Sequence, residues 1–337
     1  MDRHVIRCAV LGLGRLGYWH AENLANRVKG AKLACVVDQN PEQAEKVARE
    51  LGIERWTVDA DSVLESDDID AVVVATPTPT HAGLIIKAAA CGKPVFVEKP
   101  ITGNLAEADE VIRTLDKYNA VCQVGFMRRF DPGYAEAKRR ILAGDIGEPI
   151  YFKSVSRDPF SPPVEFIRHS GGLFVDMSVH DFDMARFLTG SDVVSVAAHG
   201  SVLKHDFMRE IGDIDQGICY MTFASGAAGD IEVSRNAHYG YDVRSEVIGT
   251  EGTLAIGSLK YHDVHILKPN GRAHDIFPHF AQRFGDAYLL EMQHFIDCLH
   301  RGETPSVGAG DGRAALAAAL AAQRAFETGT TVKVWKL

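Results

Sequence analysis

Asp176, His180 and Asp183 stand at i, i+4 and i+7 in a segment that reads as a helix over 173–188, so one stripe of that helix carries all three. An imidazole changes charge near neutral pH and suits proton abstraction, and a neighbouring carboxylate can orient it. Phe174, Val179 and Phe182 supply apolar sides for the same helix. Other readings are a solvated face, a satisfied core histidine, or a divalent-metal site built on Asp-x-x-x-His. No H-E-x-x-H or Cys/His cluster accompanies the stripe, so no metal is assigned.

A second constellation lies near the start of the chain. Gly12-Leu13-Gly14-Arg15-Leu16-Gly17 spells G-x-G-x-x-G directly after an apolar run over 5–11 and at the opening of a helical pattern. In that context the first glycine permits a tight turn, the second lets a pyrophosphate approach the backbone, and the third lets helix and strand pack closely. The helix N-terminus favours the phosphates. Asp38 ends the second predicted strand, where a carboxylate binds a ribose 2′-hydroxyl and repels a 2′-phosphate. NAD rather than NADP is therefore expected; the alternative for Asp38 is a loop cap. Thr76-Pro77-Thr78-Pro79-Thr80-His81 follows the third long strand and Glu98-Lys99-Pro100 the next. Ligands of an open parallel sheet sit beyond the carboxyl ends of its strands. The candidate cofactor residues are thus Gly12, Gly14, Arg15, Leu16, Asp38, Thr76, Pro77, His81, Glu98 and Lys99. Together the two constellations suit oxidation of an alcohol. His180 takes the hydroxyl proton, Asp176 orients His180 or binds substrate, and Lys99 hydrogen-bonds the reacting oxygen.

The elements that position these residues follow from composition and periodicity. The chain has 337 residues, 46% hydrophobic and 24% charged, enough for two cores. Its 36 Lys+Arg against 45 Asp+Glu, a net charge of −9, argue against a nucleic-acid or anionic-membrane binder. No apolar run approaches the roughly 20 residues of a membrane span. Six cysteines lack C-x-x-C spacing and several lie in apolar runs, which suits reduced thiols and a cytoplasmic protein. Strands over 32–38, 71–75, 94–98 and 121–126 alternate with helices over 41–51, 81–90 and one capped by Asn104. This predicts an α/β domain over residues 1–125 with a doubly wound parallel sheet. Residues 126–337 read as an α+β substrate and oligomerisation domain. Its strands fall over 150–156, 193–199, 218–223, 228–234, 243–248, 253–256, 264–267 and 331–335, with a Pro-rich loop over 158–172 and late helices over 283–300 and 314–326. Turn pairs Ser225-Gly226 and Glu251-Gly252 indicate a mostly antiparallel open sheet. A late helix is expected to return to the first domain.

The glycine motif, Glu98-Lys99-Pro100, the Asp176/His180 helix and the strand-rich second half together resemble the glucose–fructose oxidoreductase/inositol dehydrogenase (Gfo/Idh/MocA) family over essentially the whole chain. Gly125-Phe126-Met127-Arg128-Arg129-Phe130-Asp131, Ser156-Arg157-Asp158-Pro159, the stretch over 172–187 and Tyr239-Gly240-Tyr241-Asp242-Val243-Arg244 look like its inositol 2-dehydrogenase branch. The resemblance implies a Rossmann domain, NAD, and Lys99, Asp176 and His180 as the catalytic set with His180 the base. It also implies substrate contacts from Lys99, Arg129, Asp176, His180, Asp183, Tyr239 and Tyr241, and a residue near the nicotinamide at Tyr288. Which of Arg128 and Arg129 points inward stays open, and the tyrosines have hairpin packing as their alternative. The expected substrate is myo- or scyllo-inositol, oxidised at a ring hydroxyl, with His238 and the loop over 159–169 distinguishing isomers. Rival expectations are a pyranose or nucleotide-sugar dehydrogenase or ketoreductase of the same family, and a non-catalytic NAD-binding regulator. Such a regulator has no need of Lys99 and His180 together. A homotetramer is implied by analogy. The twin arginines and exported N-terminus of some relatives are absent, which adds to the expectation of a cytoplasmic enzyme.

Overall fold

The structure is a computed structural model and describes residues 5–334. Two compact units divide it: residues up to 127 with 286–313, and residues 128–285 with those from 314 onward.

The first unit alternates β1 (Ile6–Leu11), α1 (Arg15–Asn26), β2 (Ala31–Val37), α2 (Pro41–Leu51), β3 (Trp56–Thr57), α3 (Ala60–Leu64), β4 (Ala71–Val74), α4 (His81–Ala90), β5 (Val95–Glu98), α5 (Leu105–Tyr118) and β6 (Cys122–Gly125). Its six strands lie in the order β3-β2-β1-β4-β5-β6, and every neighbouring pair is parallel. The direction of strand addition reverses between β1 and β4, which opens a crevice at their carboxyl ends. β4, β5 and β6 are buried along their length, as strands covered on both faces must be. Val10, Leu24, Val36, Val47, Val73 and Phe96 form the core with Met292, Phe295 and Ile296 from late in the chain. Local chemistry sets the helix starts. Asn40 caps α2 with Pro41 at the first helical position. Asn104 accepts from Glu107 N–H at 2.9 Å, while the Glu107 carboxylate reaches back to the Gly103 amide at 3.4 Å. β3 and α3 were not expected from the sequence; they are too short to carry a period.

The second unit contains α6 (Pro132–Leu142), β7 (Pro149–Arg157), α7 (Val164–His169), a π-helical turn (Phe174–Ser178), α8 (Val179–Thr189), β8 (Val193–Ser201), α9 (Phe207–Ile211), β9 (Gln216–Phe223), β10 (Ala228–Ser234), β11 (Asp242–Gly249), β12 (Thr253–Ile256), β13 (Lys260–Lys268) and β14 (Gly271–Ile276). α10 (Phe280–Arg301), α11 (Ala309–Thr328) and β15 (Val332–Lys333) follow; the divisions at 285/286 and 313/314 fall within α10 and α11. The large sheet runs β12-β11-β7-β10-β9-β8-β15. All its pairs are antiparallel except β7–β10. That parallel pair arises because β7 is followed by the helical segment over 164–189 rather than a hairpin. In β9 the side chains alternate: Cys219, Met221 and Phe223 are buried while Ile218 and Tyr220 are exposed. α8 packs on β7, and the π turn packs on β10. The strand expected over 331–335 is Val332–Lys333; Trp335 lies outside the described residues. All six cysteines are free, and burial pushes the Cys8 and Cys122 thiols up to about 12. Among the described residues no helix is long and apolar enough to cross a membrane.

Candidate active site

The glycine motif turns from β1 into α1. Gly12 has φ +86°, and a Cβ there would lie 2.7 Å from Ala75 O; one on Gly17 would lie 1.8 Å from Gly12 O. Both positions therefore require glycine, for strain and for close approach respectively. A Cβ on Gly14 would meet nothing within 4 Å. Gly14, at the N-cap of α1, has no side chain to cover the first helical amides, as a phosphate cradle requires. Leu13, Gly14, Arg15, Tyr18, Trp19, Gln43 and Val47 border a cleft of about 410 Å³ beside it; Leu16 is half-buried. Asp38 accepts from Leu13 N–H at 2.8 Å and from Asn40 N–H at 2.9 Å. This carboxylate thus fixes the glycine loop and lies at its edge, where a ribose hydroxyl is read. The residues fit NAD, which supplies hydride-accepting chemistry at its nicotinamide when bound.

The loops after β4 and β5 are tied by His81, which is buried. One ring nitrogen faces Thr76 O and the other Pro100 O, both at 2.9 Å. Burial lowers the His81 pKa, and its two carbonyl partners oppose that shift. Thr76 meets Thr80 hydroxyl to hydroxyl at 2.6 Å, and Pro77 is exposed beside them. Glu98 is buried, with one oxygen 2.7 Å from His20 Nε2 and the other accepting the Lys99 amide at 3.1 Å. His81 and Glu98 shape the loops bearing Thr76 and Lys99, and Lys99 is half-buried. Tyr288 is buried against Trp19 and His20, edge to face at 5.8 and 6.1 Å.

In the second unit the stripe carrying Asp176, His180 and Asp183 does not begin as an α-helix. Phe174–Ser178 is a π turn, and α8 starts at Val179. A π turn holds more residues than an α turn, so the 3.6-residue spacing assumed for Asp176 does not apply there. Asp176 and His180 are half-buried, whereas Asp183 is fully buried. Arg129 grips Asp183 with two bonds, Nε to Oδ2 at 2.9 Å and Nη2 to Oδ1 at 2.5 Å. Arg128 bonds Asp181, which also accepts from Ser154 and Ser156. Neither arginine is a solvated residue: each pairs with an acid of α8. Tyr239 is 38% exposed; its hydroxyl donates to Asp242 at 2.7 Å and accepts from Arg157 at 2.9 Å. Tyr241 is buried, its ring edge-on to Phe284 at 6.2 Å.

Several residues were not read from the sequence as parts of the site. Arg235, fully buried, bonds Asp176 Oδ2 at 3.0 Å. Asp213 accepts the Leu173 amide at 3.0 Å and so holds the start of the π turn. Both contacts join residues 40 or more positions apart, which no local pattern reports. The sequence signal for Arg235 is a cation directly after β10, in phase with the apolar, buried positions Ile231 and Val233.

Comparison with known proteins agrees with this architecture. Residues 6–126 match "Oxidoreductase family, NAD-binding Rossmann fold", and residues 138–334 match "Oxidoreductase family, C-terminal alpha/beta domain". The scyllo-inositol 2-dehydrogenase (NAD(+)) of Bacillus subtilis strain 168 is 53% identical over 98% of this chain and 97% of its own. The myo-inositol 2-dehydrogenase of Thermotoga maritima is 38% identical over 98% of both. The crystal structure of scyllo-inositol dehydrogenase from Lactobacillus casei with bound NAD(H) and scyllo-inositol is 34% identical, with a TM-score of 0.94 over 98% of this chain and 99% of that one. An uncapped glycine-rich helix start over a six-stranded parallel sheet, followed by this second sheet, therefore has a plain reading: the chain is an NAD-dependent oxidoreductase acting on CH–OH and belongs to the Gfo/Idh/MocA family, in its inositol 2-dehydrogenase branch.

Proposed function

We propose that the chain oxidises a ring hydroxyl of scyllo- or myo-inositol to the ketone, with His180 as base and Lys99 and Asp176 assisting. The observation that carries this reading is the 53% identity to an NAD-dependent scyllo-inositol dehydrogenase along nearly the full length of both chains. The chemistry of the residues supports it. His180 receives the hydroxyl proton, a task for which an imidazole is suited near neutral pH. Lys99 donates to the same oxygen and stabilises the negative charge that grows there. Asp176, ionised against Arg235, orients the base or a neighbouring hydroxyl. Gly12, Gly14, Arg15, Leu16, Asp38, Thr76 and Pro77 hold the dinucleotide, with His81 and Glu98 acting through the loops they fix. Arg129 and Tyr239 supply donors and acceptors of the kind a polyhydroxylated ring needs at fixed angles, with the buried Asp183 holding the Arg129 guanidinium and Tyr241 packed on Phe284 near the end of the loop that bears Tyr239. A homotetramer in the cytoplasm completes the reading, and the exposed Ile218 and Tyr220 on β9 support assembly through that sheet face.

NADH formation with a panel of inositols and aldoses tests this. Turnover with scyllo- or myo-inositol is expected. The variants Lys99→Ala and His180→Ala should each lower kcat by at least about 100-fold while NAD still binds. Activity confined to pyranoses would transfer the enzyme to sugar oxidation, and near-normal rates in both variants would remove the catalytic assignment.

A further inference from the structure

We infer that Arg235 is the positioning residue for Asp176, fixing that carboxylate in one ionised orientation on the π turn. The inference rests on the proposed catalytic role of Asp176 and goes beyond it. Arg235 follows the last residue of β10 and is fully buried. Its own backbone is anchored: the Arg235 amide donates to Asp215 O at 2.9 Å, and Asn236 Nδ2 donates to the same oxygen at 3.3 Å. The Asp215 carboxylate in turn gathers the amides of Leu203, Lys204 and His205 at 2.9, 2.8 and 2.7 Å. The guanidinium therefore projects from a rigid base. Its Nη2 donates to Asp176 Oδ2 at 3.0 Å. Among the described residues, its Nε and Nη1 have no hydrogen-bond partner.

A buried guanidinium cannot discard its charge, because its proton is held far above neutral pH. Stripping it of its counter-ion is severely unfavourable. Arg235 therefore selects the ionised form of Asp176 and a single position for one of its oxygens. The π turn makes this selection necessary. With its extra residue, the turn does not by itself aim Asp176 along the α8 stripe. Asp213 holds the beginning of the turn through the Leu173 amide, and β10 packs on its body. Three ionisable groups of this unit bear on Asp176 or on its turn: His180 along the same segment, Arg235 from the end of β10 and Asp213, which holds the Leu173 amide, from the loop before β9. Of these three, Arg235 brings the permanent positive charge.

A double-mutant cycle on the full-length enzyme tests the inference, using Arg235→Met, Arg235→Lys, Asp176→Asn and the double variants. Circular dichroism and NAD titration report folding and cofactor binding. Arg235→Met should lower kcat about 100-fold with KM for NAD changed less than about threefold, and Arg235→Lys should recover part of the loss. Arg235→Met with Asp176→Asn should be no slower than Asp176→Asn alone, because Arg235 acts through that carboxylate. Should Arg235→Met not fold, the same cycle is run with Arg235→Lys. Losses that multiply in the double variant, or an Arg235→Met enzyme turning over at the wild-type rate, would overturn the inference while leaving Asp176 catalytic. A normal rate for Asp176→Asn would instead overturn the reading of Asp176, and this inference with it.

Discussion

Asp38 serves two backbone amides at once, Leu13 through Oδ2 and Asn40 through Oδ1. The two readings of this residue, a ribose ligand and a loop cap, are compatible, since each carboxylate oxygen has a second lone pair. They separate in a variant that keeps the shape and removes the charge. Asp38→Asn retains one carbonyl acceptor for the loop but presents an amide on the other side. It also no longer repels a 2′-phosphate. A charge-assisted hydrogen bond contributes about 1.5–3 kcal/mol, so the ratio of kcat/KM for NAD over NADP should fall by about 10- to 100-fold. Steady-state kinetics with both cofactors checks this; an unchanged ratio, with a lowered melting temperature, would reduce Asp38 to a loop cap. Gly17 was legible in the sequence because its reason is local, the Gly12 carbonyl of the same β1–α1 turn, and Gly12 through its place in the motif and its positive φ, although the atoms that also exclude a Cβ there belong to Ala75 and Thr76 after β4. The partners of Arg128 and Arg129 were not legible, because Asp181 and Asp183 lie 53 and 54 positions away.

The segment from Phe174 to Thr189 shows the same contrast at the scale of an element. Its helical character and its polar stripe follow from spacing alone. The π turn does not, because it depends on contacts from elsewhere: Asp213 on the Leu173 amide and Arg235 on Asp176. The parallel pairing of β7 with β10 was likewise invisible, since turn pairs report only hairpins. α8 is pinned by two consecutive arginines on alternate acids, and the Arg128–Asp181 pair is buried on both sides. Such a pair contributes little net energy when intact but is costly to break, because the remaining charge stays buried. Asp181→Ala should therefore destabilise the protein by about 3–5 kcal/mol, read by thermal or denaturant unfolding. Replacing the pair together, Arg128→Met with Asp181→Leu, should recover much of that loss. A single variant as stable as the parent would show that Ser156 suffices to satisfy Arg128, and that the pair does not hold α8.

At the scale of the molecule, the first unit is closed by chain from its two extremes. His20 on α1, Glu98 on β5 and Glu291 on α10 are all buried, and one ligand-capable atom of each lies within 4.8 Å of the others. His20 and Glu98 satisfy one another at 2.7 Å. Glu291 does not share in this: among the described residues neither of its carboxylate oxygens has a hydrogen-bond partner. Burial first, and then the charge of Glu98, push the Glu291 pKa well above its ordinary value. The folded protein thus keeps a proton on Glu291 that the unfolded chain releases above about pH 4.3. The sign follows directly. A raised carboxyl pKa leaves folding undisturbed below the unfolded value and weakens it as pH rises toward the folded value, by about 1.4 kcal/mol per pH unit. Glu291→Gln carries no such proton and keeps the volume. Its melting temperature relative to the parent should rise steadily from about pH 5 to about pH 8, by a few degrees overall. The comparison of the two proteins cancels the titrating groups that do not sense Glu291. Melting curves whose difference stays constant across that range would mean that Glu291 is ionised in the fold.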